Sequence, residues 1–142
     1  MEIRSVDRSA FLCLEHEFMA PSHFGEPPQI RLIVKQSAYG FTGKTSPVWM
    51  SQENIMLFIE AVQRLEQGER AILNGREDHK NHLLLEIQIT DEGKIILEST
   101  LTKWYSCTEE IDCKLQSQVL FKINERTLRQ VVTELQKMSQ VE

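Results

Sequence analysis

Residues 38–45, Ala38-Tyr39-Gly40-Phe41-Thr42-Gly43-Lys44-Thr45, follow the order of a phosphate-binding loop with alanine in the first glycine position. Such a loop cradles phosphates with backbone N–H groups at the start of a helix, and its lysine reaches the β- and γ-phosphates. Ser46-Pro47 follows at once. The residue before a proline avoids helical backbone angles, so no helix can begin where the lysine and threonine need one. The segment is expected to be a strand or ribbon, with Gly40 and Gly43 marking a bulge or a close backbone approach, and no nucleotide or other cofactor is expected.

Other reactive side chains cluster without completing a site. His79 and His82 lie three apart beside Glu77 and Asp78. Zinc needs three or four nitrogen or sulfur ligands, so this reads as a solvated polar loop, and no metal is expected. Cys107 and Cys113 have five residues between them, wider than the spacing of a zinc knuckle. Glu15 and Glu17 share a strand face on either side of His16, a pair that acid–base catalysis could use and that an exposed strand also presents. Glu109, Glu110 and Asp112 stand beside Trp104 and Tyr105, where carboxylates and aromatic anchors could face a basic protein partner. These five residues are the candidate partner-binding site, and no catalytic residue is assigned.

The elements that must position these groups follow from periodicity. Residues 9–18 and 30–35 read as strands, the second with Ile30, Leu32 and Val34 on one face. Pro21, Gly25, Pro27 and Pro28 make the stretch between them a loop. Ser51 caps a helix over residues 51–67, whose apolar stripe is Ile55, Phe58, Ile59, Val62 and Leu65 and whose stop is Gly68. Residues 70–74 form a short strand and 75–81 a polar loop. Leu83, Leu85, Ile87 and Ile89 alternate as in a half-buried strand. Asp91-Glu92-Gly93 turns into a return strand over 95–105. An acidic loop over 106–113 leads to a strand over 115–123. Asn124 caps a second helix over 124–139, with Leu128, Val131, Val132, Leu135 and Met138 as its stripe. The expected fold is α+β: one mostly antiparallel sheet of about six to seven strands with its apolar face under two amphipathic helices.

The totals set the class. A chain of 142 residues is one domain by length, with a core large enough to stand without metal or disulfide. Its net charge of −5 disfavours nucleic acid, which asks for a basic face. The 3 cysteines are too few and too odd in number for a disulfide framework, so they read as free thiols in a cytoplasmic protein. The N-terminal residues lack the features of a signal peptide, and no apolar run is long enough for a membrane span.

A strand, then Gly40-Phe41-Thr42-Gly43, Trp49, a helix with Phe58 and Leu65, Gly68, Ala71 and Leu73, the Leu83–Leu85–Ile87 strand and Trp104 come in an order that carries a resemblance. With Phe121 and the Leu128–Leu135 helix, residues from about 30 to 138 resemble a family of small bacterial immunity proteins of the wall-associated-protein toxin type, together with a related domain of unknown function. The resemblance implies a non-catalytic, cytoplasmic protein that neutralises a cognate toxin by direct binding. Two other readings stay open: a small-ligand binder or enzyme with a pocket between sheet and helices, where Lys44, His16 and Glu17 would act, and an interaction module of a larger assembly.

Overall fold

The computed structural model describes residues 1–20, 28–45, 47–77, 80–106 and 112–140, and for Phe18, Tyr105, Ser106 and Asp112 the backbone alone. The strands are β1 (Glu2–Arg4), β2 (Ala10–Ala20), β3 (Gln29–Ala38), β4 (Phe41–Lys44), β5 (Val48–Ser51), β6 (Ala71–Glu77), β7 (Lys80–Ile89), β8 (Ile95–Ser106) and β9 (Asp112–Ile123). Helix α1 (Gln52–Val62) joins β5 to β6, and α2 (Glu125–Ser139) follows β9. The fold is α+β with a mostly antiparallel sheet, but among the described residues that sheet has nine strands rather than six to seven, all in antiparallel pairs. Two additions, β1 and β5, are too short for an alternating pattern to show. The polar stretch 75–81 also belongs largely to paired strands, since Arg76 faces Asn81 and Glu77 faces Lys80. Polarity there marks a wet hairpin end, which composition does not separate from a loop.

Strand order is β1-β2-β3-β5-β6-β7-β8-β9, with β4 paired to the C-terminal half of β3 and β5 to its N-terminal half. The break between β4 and β5 is closed by Thr45. Its N–H donates to the Val34 carbonyl at 2.8 Å, and its hydroxyl accepts from the Val34 N–H at 3.0 Å.

Alternation sends one face of every long strand inward. Leu12 and Leu14, Ile30, Leu32 and Val34, Leu83, Leu85 and Ile87, and Leu97 are buried, while their neighbours along each strand are more exposed. Ile55, Phe58 and Ile59 of α1 and Val131 and Leu135 of α2 complete the same core. Both helix starts are capped as expected: Ser51 Oγ accepts from the Asn54 N–H at 3.0 Å and Asn124 Oδ1 from the Thr127 N–H at 2.8 Å. The first helix is shorter than its apolar stripe. After Val62 the chain tightens into a 3₁₀ turn (Leu65–Gln67) that keeps Leu65 buried and ends on Gly68 at φ 88°.

The sheet coils until its two ends meet. The Val6 N–H, just past β1, donates to the Lys122 carbonyl of β9 at 2.9 Å. Gln36 of β3 is buried, and its amide donates to the Ser117 carbonyl at 2.8 Å and to Ser117 Oγ at 3.1 Å. These bonds occupy part of the outer edge of β9, which would otherwise invite another strand. Gly43 supplies the close approach expected of it, because a Cβ there would lie 2.9 Å from Ser117 Oγ.

One cysteine departs from the expectation of free thiols. Cys13 is free, but Cys113 is disulfide-bonded; Cys107 lies outside the described residues. An odd count hid this, because the proximity a disulfide needs comes from folding, not from the number or spacing of cysteines. No helix among the described residues is long and apolar enough to cross a membrane.

Candidate functional site

The loop between β3 and β4 has only two residues, since Ala38 pairs with Phe41. Two-residue hairpin loops favour positive φ at both positions, which matches the twist of the strands they join. Gly40 takes φ 84° without penalty, whereas Tyr39 takes φ 50° with a full side chain. The left-handed region costs an L-residue about 1–2 kcal/mol. Tyr39 recovers little by packing: it is 78% exposed, and Phe41 beside it is 82% exposed. Val6 and Leu120 are also exposed, and with Tyr39 and Phe121 they line a cavity of about 310 Å³ at the closure of the sheet. Farther along the seam, Gln36 donates to Ser117 and Gly43 lies close against it.

The turn between β1 and β2 borders the same cavity. Asp7 Oδ1 accepts from Ser9 Oγ at 2.6 Å, Ser5 Oγ at 2.7 Å and the Ser9 N–H at 3.0 Å. The Ser9 hydroxyl, then the Ser5 hydroxyl and the Ser9 N–H, hold its carboxyl down at about 2.

A second surface runs across the outer face at the other end of β3. Register places Arg31 opposite Trp49, Trp49 opposite Arg76, Arg76 opposite Asn81, and Trp104 opposite Lys114. Arg31 stands 5.7 Å from the Trp49 ring centre, and its Nε lies 2.9 Å from Glu17 Oε2 in an ion pair. Lys80 and Lys114 stand 5.0 and 5.4 Å from the Trp104 ring centre. The Trp104 indole N–H donates to the Asn81 carbonyl at 3.2 Å, and Arg76 Nε donates to Asn81 Oδ1 at 3.0 Å.

The candidate residues read from sequence are divided by this geometry. Trp104 is half-buried within the outer row. Tyr105 and Asp112 belong to β8 and β9, Glu109 and Glu110 lie outside the described residues, and the ring contacts of Trp104 are to lysines. Lys44, His16 and Glu17 do not gather in one pocket. Glu17 pairs with Arg31, His16 is exposed, and Lys44 borders a separate cavity of about 210 Å³ near Ser117. Glu15 pairs with Lys35 at 2.8 Å, and the hydrogen bond from Lys35, followed by its charge, holds the Glu15 carboxyl below its usual range. Residues 38–45 form a hairpin and its exit, and the next described element is β5 rather than a helix. His82 is half-buried, His79 lies outside the described residues, and no metal-binding group occurs among those described.

Sequence reasoning missed Tyr39 and Phe41 as surface residues and Arg31, Arg76, Lys80 and Lys114 as a row. A tyrosine before glycine in a two-residue loop was a usable signal for the first. The row had none, because it exists only through cross-strand register.

No family model, curated protein or solved structure matches the chain.

Proposed function

We propose that the chain is a non-catalytic binding protein of the immunity type, which neutralises a cognate toxin domain by seating the Tyr39–Phe41 hairpin on it. One observation carries this reading. Tyr39 is held at φ 50° and left 78% exposed, so its backbone costs stability that its side chain does not return. Strain kept at an exposed aromatic is a sign of use outside the fold. Aromatic anchors on a rigid loop are the residues that dominate protein interfaces, because they bury large area at small entropic cost. The glycines that build the hairpin, Gly40 and Gly43, are also among the residues that carry the family resemblance.

Inhibition of this kind asks only for a complementary surface over the toxin's working face. It would take place in the cytoplasm of the producing cell. That compartment keeps most thiols reduced, so the disulfide at Cys113 provides a direct check of the location. The disulfide weighs against the cytoplasm, and thiols counted in protein quenched rapidly at harvest decide it: a bonded Cys113 rules that compartment out, and full reduction supports it.

The function is tested with the toxin domain encoded beside this gene. Sequencing the flanking DNA identifies that domain, and calorimetry measures its binding. Wild-type protein should bind and protect cells that express the domain, whereas Tyr39→Ala with Phe41→Ala should do neither while keeping its melting temperature. Wild-type binding undiminished in the double variant would remove the hairpin from the interface. A neighbourhood of metabolic genes, with a small molecule that raises the melting temperature, would favour the ligand-binding alternative.

A further inference from the structure

The seam holds groups that the hairpin reading does not use. Among the described residues, Arg8 at φ 62° and Tyr39 at φ 50° are the two non-glycine residues with positive φ. They stand in neighbouring turns, linked through the pairing of Ala10 with Ala38. Arg8 closes the β1–β2 turn by donating its N–H to the Ser5 carbonyl at 3.0 Å, in a conformation that glycine takes without penalty. Both residues are exposed, and the cavity of about 310 Å³ borders both turns. Backbone strain of this kind collects where a ligand is held. Opposite charges line the cavity, Asp7 from the turn and Lys122 from β9. The three bonds from Ser5 and Ser9 all fall on Asp7 Oδ1, so Oδ2 accepts nothing from the described residues. The Ser9 and Ser5 hydroxyls keep this carboxyl ionised, with no cation contributing. Among the described residues, Asp7, Arg8 and Lys122 enter no ion pair, and all three are exposed. Glu98, which faces Leu120 across the strands, accepts from Gln118. Much of the remaining lining is apolar, with Ala10 and Phe121 buried and Val6 and Leu120 exposed.

We propose that the cavity binds a small zwitterion with an apolar side chain, the chemistry of an α-amino acid, with its ammonium on Asp7, its carboxylate on Lys122 and its side chain against Phe121 and Leu120. An open carboxylate oxygen and an unpaired lysine on one apolar cavity can each make a charge-assisted bond to a ligand that carries both signs. A cation alone would leave Lys122 unanswered, and an anion alone would meet Asp7. Arg8, next to Asp7 in the turn, makes the mouth net positive, so Asp7 does not repel the carboxylate end of the ligand. The volume is at the small end of the about 300–1,000 Å³ usual for ligand pockets, which suits an amino acid better than a nucleotide. The inference does not rest on the toxin reading, because it needs neither Phe41 nor a protein partner.

Isotopically labelled full-length protein is titrated with L-leucine and with L-phenylalanine at neutral pH while its backbone amide signals are followed by NMR. At least one of them should move the signals of Val6, Asp7, Tyr39 and Lys122 along a saturable curve. The analogues 4-methylpentanoate and 3-phenylpropanoate lack the ammonium, and 3-methylbutylamine and 2-phenylethylamine lack the carboxylate. Each should bind about tenfold more weakly than its parent, the loss expected of one charge-assisted bond. Lys122 is exposed, so Lys122→Gln should keep the fold and weaken binding by a similar factor, as should Asp7→Asn. Lys114→Gln, near the other end of β9, should leave binding unchanged. The site is refuted if neither amino acid gives a saturable shift, if the shifts fall away from the seam, or if Lys122→Gln binds like wild type. A one-charge analogue that binds as tightly as its parent overturns the zwitterion assignment.

Discussion

The two ends of β3 hold aromatic side chains in opposite ways. Past its C-terminal end, Tyr39 and Phe41 stand in solvent on a two-residue loop, 78% and 82% exposed. Across its N-terminal half, Trp49 is half-buried beside Arg31, and farther along the same row Trp104 is half-buried between Lys80 and Lys114. The covered rings earn their place within the fold through packing, cation–π attraction and a hydrogen bond. The bare rings do not, and one of them imposes backbone strain. Exposure without compensation sets the hairpin apart, whereas the tryptophan row is part of the stable wall.

The largest effect expected from this contrast is on binding. Alanine at Tyr39 or Phe41 should each cost about 2 kcal/mol or more in affinity for the proposed toxin partner, with a stability change below about 0.5 kcal/mol by thermal melting. A large loss of stability in either variant would erase the distinction between the two regions. Next is Gly43→Val, which forces a side chain against Ser117 at the seam. It should destabilise by about 1–3 kcal/mol in chemical denaturation, as overpacking does. Tyr39→Asn should act in the other direction. Asparagine tolerates φ 50° better than tyrosine, so stability should rise by up to about 1 kcal/mol while partner affinity falls. Trp104→Phe keeps a ring under the lysines but removes the bond to the Asn81 carbonyl, and should cost about 0.5–1.5 kcal/mol.

The smallest effect is a pH dependence at the seam. Asp7 has its folded pKa lowered from 3.8 to about 2, so the folded state favours its ionised form. Its contribution is complete above the unfolded value and is lost as pH falls from near 3.8 through about 2. Asp7→Asn should flatten stability over that acid range, and carboxyl chemical shifts should report the low pKa directly.

Legibility followed the range of the interactions. The alternating strands, the caps Ser51 and Asn124, and the turn at Gly93 could be read because each rests on neighbours a few residues away. Trp104 was singled out for its acidic neighbours in the chain, but its spatial neighbours are Lys80, from another strand, and Lys114, across the hairpin. Arg31 and Arg76 drew no notice, since nothing in their local sequence says that both flank Trp49. The bulge between Gly75 and Arg76 shifts that register, and a Cβ at Gly75 would lie 2.8 Å from Val48 Cγ2, a constraint invisible until the strands are side by side.

By itself, the sequence determined the α+β class, the inward face of each long strand, the buried stripes of both helices and the inability of residues 38–45 to start a helix. Backbone preference and side-chain period act over a few residues, so these follow from local order alone. Only the tertiary structure decided that the sheet has nine strands among the described residues, that its ends close through Val6, Gln36 and Gly43, that Cys113 is oxidised, and that tryptophans and cations from six strands form one row. Each of those depends on strand register and coil, where residues far apart in the chain become neighbours and the free energy is shared among many pairings at once.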